Sequence, residues 1–206
     1  MPNWCANSLK LTATNPESKK KLAEIVKELK RAKKAGESAG IFNLIKPIPK
    51  ALMITAGFLG AGTPEQMALI EAEKKNLDLY GYKNWYDFCV AEWGTKWDAR
   101  TEDDNSFEID GNQVTIYFDT AWSPPMGIYP ILEEIGFKIE ATYIEQGNGY
   151  IGFYKDGVDH CEKMEQFFKE TAKNEDEDDE EFFPVEAIDD FFVKHGFDHT
   201  PSNWGG

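Results

Sequence analysis

The chain is poor in cysteine, in histidine and in long apolar runs. Its three cysteines, Cys5, Cys89 and Cys161, are an odd number at wide spacing in 206 residues. That argues against a disulfide framework and for a reducing compartment. No stretch approaches the ~20 apolar residues of a membrane span. The start, Met1-Pro2-Asn3-Trp4-Cys5, has no basic segment leading into an apolar one, so no signal peptide is expected. A cytoplasmic location and no membrane partner are the resulting expectations. Signatures of catalysis are missing too. There is no Gly-x-Ser-x-Gly elbow, and Ser123 runs into Pro124-Pro125, which does not make a nucleophile turn. The Gly57–Gly62 stretch lacks the Gly-Lys-Ser/Thr ending of a phosphate loop. His160-Cys161, His195, His199 and Cys5 are the available soft ligands. Their spacing matches no structural zinc pattern, so neither metal nor cofactor is expected.

What is abundant is acid. Asp and Glu number 37 against 22 Lys and Arg, a net charge of −15, and aromatics make up 14% of the chain. The aromatic share is enough to build a core, which excludes wholesale disorder. The charge is uneven. Residues 1–50 carry 11 basic and 4 acidic side chains, whereas residues 101–206 carry 6 basic and 26 acidic ones. Such asymmetry bears on partners rather than on fold.

Alternation of Leu9, Leu11 and Ala13 with polar neighbours predicts a strand. Asn15-Pro16 opens a helix whose stripe is Leu22, Ile25, Val26, Leu29 and Ala32. Ile41–Ile45 reads as a second short strand, ended by Pro47 and Pro49. Thr63-Pro64 starts a helix to about Tyr80, and a shorter helix begins at Asn84 with Trp85, Phe88 and Cys89 on one face. Residues of about 50–100 are read as a helical insertion. Asp110-Gly111 between alternating runs marks a hairpin. A helix through Ile128, Ile131, Leu132 and Ile135 follows, then strands at Ile139–Tyr143 and Tyr150–Tyr154. Val158, Cys161, Met164, Phe167 and Phe168 fit helical spacing better than alternation. Glu175, Asp176, Glu177, Asp178, Asp179, Glu180 and Glu181 form an acidic run that reads as a flexible tether. Val185, Ile188, Phe191 and Phe192 predict an amphipathic helix that docks. The fold class expected is α+β, a ferredoxin-like split βαβ core with a mostly antiparallel sheet. Residues 1–170 would be that domain, and 171–206 an acidic linker and C-terminal helix.

Three segments together carry a resemblance: Met1-Pro2-Asn3-Trp4-Cys5-Ala6-Asn7, Trp93-Gly94-Thr95-Lys96-Trp97-Asp98 and Thr120-Ala121-Trp122-Ser123-Pro124-Pro125. With Ile45–Pro49 and the Glu145…Gly147…Gly152 run, the chain resembles the YubB-type ferredoxin-like family of bacteriophages, prophages and plasmids over roughly residues 1–155. The resemblance implies a ferredoxin-like fold and a mobile-element origin. It implies no reaction and transfers no catalytic residue.

The candidate ligand or partner surface is Trp93, Lys96, Trp97, Asp98, Asp119, Trp122 and Glu145. Tryptophan offers large area and a donor at such a surface. The competing and preferred reading makes these indoles plugs between insertion and sheet, since buried aromatics dominate core energetics. Asp119 and Glu145 are the carboxylates available for acid–base work, and nothing in the sequence marks them for it. Cys5 and Cys89 read as small core hydrophobes. The leading functional reading is a non-enzymatic binding protein that engages a host protein, a defence or nucleic-acid-processing factor, through an acidic surface. Spaced carboxylates can imitate phosphates, which suits counter-defence by a phage. One alternative is a small-ligand or nucleotide-binding module built on the Trp motifs. Another is an RNA- or DNA-binding module using the basic first helix and Tyr117, which the net charge disfavours.

Overall fold

A computed structural model describes residues 3–101, 106–165 and 185–201. The acidic run 175–181, with Phe167 and Phe168, lies outside them. Six strands form one sheet in the order β2-β3-β1-β4-β5-β6, and every neighbouring pair is antiparallel. The strands are β1 (Trp4–Ala13), β2 (Phe107–Asp110), β3 (Gln113–Ala121), β4 (Phe137–Glu145), β5 (Tyr150–Lys155) and β6 (Val158–Lys163). The helices are α1 (Pro16–Ala35), α2 (Ile41–Ile45), α3 (Pro64–Tyr80), α4 (Trp85–Phe88), α5 (Ile128–Ile135) and α6 (Val185–Lys194). β1-α1-β2 and β3-α5-β4 are two interleaved βαβ units, so the fold is ferredoxin-like α+β. The β5–β6 hairpin widens the sheet beyond β4. No helix among the described residues is long and apolar enough to cross a membrane.

Local chemistry sets the element ends. Asn15 Oδ1 accepts from Ser18 N at 2.8 Å, and Ser18 Oγ accepts from Asn15 N at 3.0 Å, a reciprocal cap that starts α1. Leu22, Ile25, Leu29 and Ala32 then face the sheet and are buried; each larger side chain contributes about 1.5–3 kcal/mol by leaving water. They meet Leu9, Leu11, Ile116 and Ile139 from the strands and Leu132 from α5 in the main core. Period-two alternation places Ala6, Ser8 and Lys10 on the other side of the sheet. There Ile188, Phe191 and Phe192 of α6 pack on Ala6, Ile144 and Ile151 in a second core. The C-terminal helix therefore docks, as its stripe predicts.

Two expectations fail. Ile41–Ile45 is helical, not a strand. The Asp98 carboxylate accepts from Phe42 N at 2.7 Å and Asn43 N at 3.0 Å, so a distant side chain satisfies the first turn's orphan donors. The second strand of the split βαβ is β2, and everything between α1 and β2 is extra to it. Val158–Lys163 is a strand, not a helix. Asp156 and Gly157 both take positive φ, 52° and 78°, as a two-residue hairpin turn requires. Of the apolar residues that suggested a helix, Val158 is 64% exposed and Cys161 is exposed, whereas Met164 is buried in the second core.

Candidate functional site

β1 and β3 run side by side until Trp4 faces Ala121. Beyond that pair the chain turns at Trp122, whose φ is 70°. A left-handed conformation at a bulky non-glycine residue costs about 1–3 kcal/mol and persists only where neighbours enforce it. Here they do. Trp122 N donates to Asn3 O at 2.9 Å, and Tyr150 Oη donates to Trp122 O at 2.6 Å. Three hydroxyls lock the turn to the 93–98 segment and to itself. Thr95 Oγ1 donates to Ala121 O at 2.9 Å, Ser123 Oγ to Gly94 O at 2.6 Å, and Thr120 Oγ1 to Ser123 O at 2.7 Å. The Trp93–Asp98 and Thr120–Pro125 motifs, distant in sequence, are thus one unit.

The outer side of this unit is an aromatic surface threaded with cations. Trp97 is 37% exposed and Trp122 39% exposed. The Lys96 ammonium lies 4.5 Å from the Trp97 ring centre, 5.4 Å from Trp122 and 5.8 Å from Tyr86. Trp4 packs on Trp97 with ring centres 5.9 Å apart, and the Arg100 guanidinium covers Trp4 at 5.1 Å. Arg100 and Asp119 exchange backbone hydrogen bonds at 3.0 Å, which ties the patch to β3. The reading of Trp97 and Trp122 as buried core plugs is corrected: each keeps more than a third of its surface in solvent, while Trp97 also packs on Trp4.

The remaining candidates are scaffold. Trp93 is 2% exposed. Its indole N–H donates to Lys46 O at 2.9 Å, and its ring meets Phe42 and Phe88 edge-on. Glu145 is buried, and its two oxygens accept from Gly147 N at 2.7 Å and Asn148 N at 2.8 Å. It closes the β4–β5 turn, and both oxygens are occupied. Asp98 turns inward, where its carboxylate also accepts from Ala99 N at 2.8 Å. Burial, only partly offset by these N–H groups, pushes the Asp98 carboxyl up to about 6. Its folded value lies above the unfolded one. The stability it contributes is therefore complete below about pH 4 and is lost as pH rises through about 6. Unfolding free energies of the wild type and Asp98→Asn, compared from pH 3.5 to 7.5, are expected to diverge in that window, with the wild type losing ground as pH rises. Parallel curves would remove this assignment. Burial pushes the Cys89 thiol up to about 12 and Cys5 higher still, so both stay protonated and behave as core hydrophobes.

On the far side of the sheet, Lys10, Glu108, Asp110, Tyr117, Asp198 and His199 line a hollow of about 180 Å³. Tyr117 is half-buried in this hollow, with Glu108, Asp110 and Asp198 beside it. The exposed lysines of α1 sit across the sheet, beyond the main core. The basic helix and the sheet aromatic do not share a surface, which works against a nucleic-acid platform.

Sequence reasoning missed one assembly. His160, Glu162 and His195 present ligand atoms within 4.8 Å of one another. The signal was the i, i+2 pair His160/Glu162, visible only once β6 is read as a strand.

No family model matches the chain, and no curated protein matches it. Among solved structures it is similar to the protein api92 from Yersinia pseudotuberculosis, described by the family model DUF1281. That match has 12% identity and a TM-score of 0.39, and covers 79% of this chain and 98% of that one. A likeness at that level carries no argument about function.

Proposed function

We propose that this chain is a non-enzymatic binding protein of a phage or other mobile element, and that it engages a host protein. The observation that supports this reading is the Trp122 turn. Several hydrogen bonds hold a strained backbone at Trp122 and pin it to the 93–98 segment, so that two partly exposed indoles flank Lys96. Packing alone would favour turning those rings inward. Exposed tryptophans on a rigid base are the residues that dominate protein interfaces. A protein partner fits better than a small ligand because α3 also leaves Met67, Ile70 and Leu77 on one exposed face, and exposed apolar faces of this kind mark macromolecular contacts. The acidic half of the chain steers a basic partner toward these contacts. The mobile-element origin rests on the YubB-type motifs. Among the candidate nucleophiles and acids, the two buried thiols are protonated and Glu145 is bound to backbone N–H groups, which supports the same reading.

The test has two arms. A partner captured from host lysate is titrated against the wild type, Trp97→Ala/Trp122→Ala and a set of surface Asp/Glu→Asn/Gln changes within 106–165. The double tryptophan variant is expected to weaken binding by roughly 30-fold or more, while each exposed indole costs only about 1 kcal/mol of stability. The acid-neutralised variant is expected to slow association and flatten its salt dependence. Binding unchanged in the double variant removes the Trp turn as the contact. In the second arm, intrinsic fluorescence is followed as nucleotides and single-stranded oligonucleotides are added. Saturable quenching that Lys96→Gln abolishes replaces the protein reading with the ligand one.

A further inference from the structure

We propose that His160, Glu162 and His195 bind one divalent transition-metal ion of the zinc type, which clasps the C-terminal helix to the edge strand of the sheet. Two independent elements supply the ligands. Alternation along β6 puts His160 and Glu162 on the sheet face that carries the second core, side by side at i and i+2. His195 follows the last turn of α6, where its N–H bonds to Phe191 O and Phe192 O and Gly196 ends the helix at φ 80°. Phe153 on β5 faces His160 across the strand pair. Its ring stacks on His160 at 4.9 Å and 27°, and it lies 4.8 Å from His195. One phenyl ring thus props both imidazoles beside each other, 5.6 Å between ring centres.

The three ligand atoms lie within 4.8 Å of one another, and His160 Nε2 is already 2.7 Å from Glu162 Oε1. Tetrahedral ligands about 2.0–2.2 Å from zinc stand roughly 3.3–3.6 Å apart, so the widest pair must close by about 1.5 Å at most and the His160–Glu162 pair must open by less than about 1 Å. Side-chain rotation supplies it, because His160 and Glu162 keep 44% and 37% of their side-chain surface in solvent. Two imidazoles with one carboxylate suit zinc, cobalt and nickel and suit magnesium and calcium poorly. Water completes the fourth position. Without a metal, the His160–Glu162 hydrogen bond and the Phe153 stack account for the same side-chain positions, and the experiment separates the two cases.

The full-length chain, stripped with chelator, is titrated with Co(II) while visible absorption is followed, and with Zn(II) against a chromophoric chelator. One equivalent is expected to bind with a low-micromolar or tighter Kd. His160→Gln, Glu162→Gln and His195→Gln are each expected to weaken it by roughly tenfold or more, since each removes one of three ligands. Cys161→Ser, on the other face of the same strand, is the control and is expected to bind as the wild type does. At a hundredfold excess over Kd, Zn(II) is expected to raise the wild-type Tm by about 5–10 °C. It is also expected to slow amide exchange in 185–194, with neither effect in His195→Gln. The three variants melt like the metal-free wild type if the ligands are surface groups, so lost binding is not lost folding. Absence of stoichiometric binding overturns the proposal. So does binding that survives His195→Gln, which would place the ion elsewhere, for instance on the acidic run.

Discussion

Trp93→Ala is expected to destabilise the fold by about 3–5 kcal/mol, a fall in Tm of roughly 6–20 °C for a chain of this size. Trp93 is 2% exposed and sits where the helical insertion meets the main core. Truncation removes its edge contacts with Phe42 and Phe88. It also removes the hydrogen bond from the indole N–H to the half-buried Lys46 carbonyl, worth about 0.5–1.5 kcal/mol. The cavity has little room to collapse, because Gly127 N bonds to Trp93 O and holds the start of α5 in place. Trp97 and Trp122, four and twenty-nine residues on, are more than a third exposed, and the same substitution there should cost only about 1 kcal/mol. Chemical denaturation of the three single variants checks the contrast. Equal losses at all three would return Trp97 and Trp122 to the scaffold and remove the basis for a binding surface at the turn.

That split among the tryptophans was not legible in the sequence. Trp93, Trp97 and Trp122 all lie beside turn residues, and nothing local says which way a turn aims its side chain. The direction is set by hydroxyls reaching across the fold, Thr95 to Ala121 and Ser123 to Gly94. The elements that were legible are those whose instructions are local. Asn15 and Ser18 cap α1 from within the helix, Asp110-Gly111 joins β2 to β3, and Gly136 closes α5. α2 was illegible for the opposite reason. Five apolar-rich residues have no readable period, and the group that makes them helical is Asp98, 56 residues beyond Phe42. β6 was misread because it is an edge strand whose face toward α6 is built from His160 and Glu162 rather than from aliphatics. Helical spacing turns those two residues away from each other. The wrong period therefore concealed the proposed metal ligands as well as the strand.

Phe191→Ala/Phe192→Ala is expected to release α6 while the rest of the sheet stays folded. Phe191 is 2% exposed and Phe192 is fully buried, both in the second core, and each truncation removes about 3–5 kcal/mol of docking energy. What remains is smaller. Ile188 and, beyond the helix, Phe197 still offer apolar contacts. The Lys10–Asp198 pair, with Asp198 72% exposed, is worth about 0–1 kcal/mol. The buried Ser8–His199 hydrogen bond, 2.8 Å long, adds about 1 kcal/mol. A ten-residue helix without a docking face is not stable in water, so undocking is also unwinding. The main core lies on the opposite side of the sheet and uses none of these side chains. Hydrogen exchange is the direct measurement: amides of 185–194 should lose protection, while those of α1 and β1 keep theirs. Equal loss in α1 and in α6 would show that the two cores unfold as one unit. In that case a clasp at His195 would stabilise the whole domain rather than the helix alone.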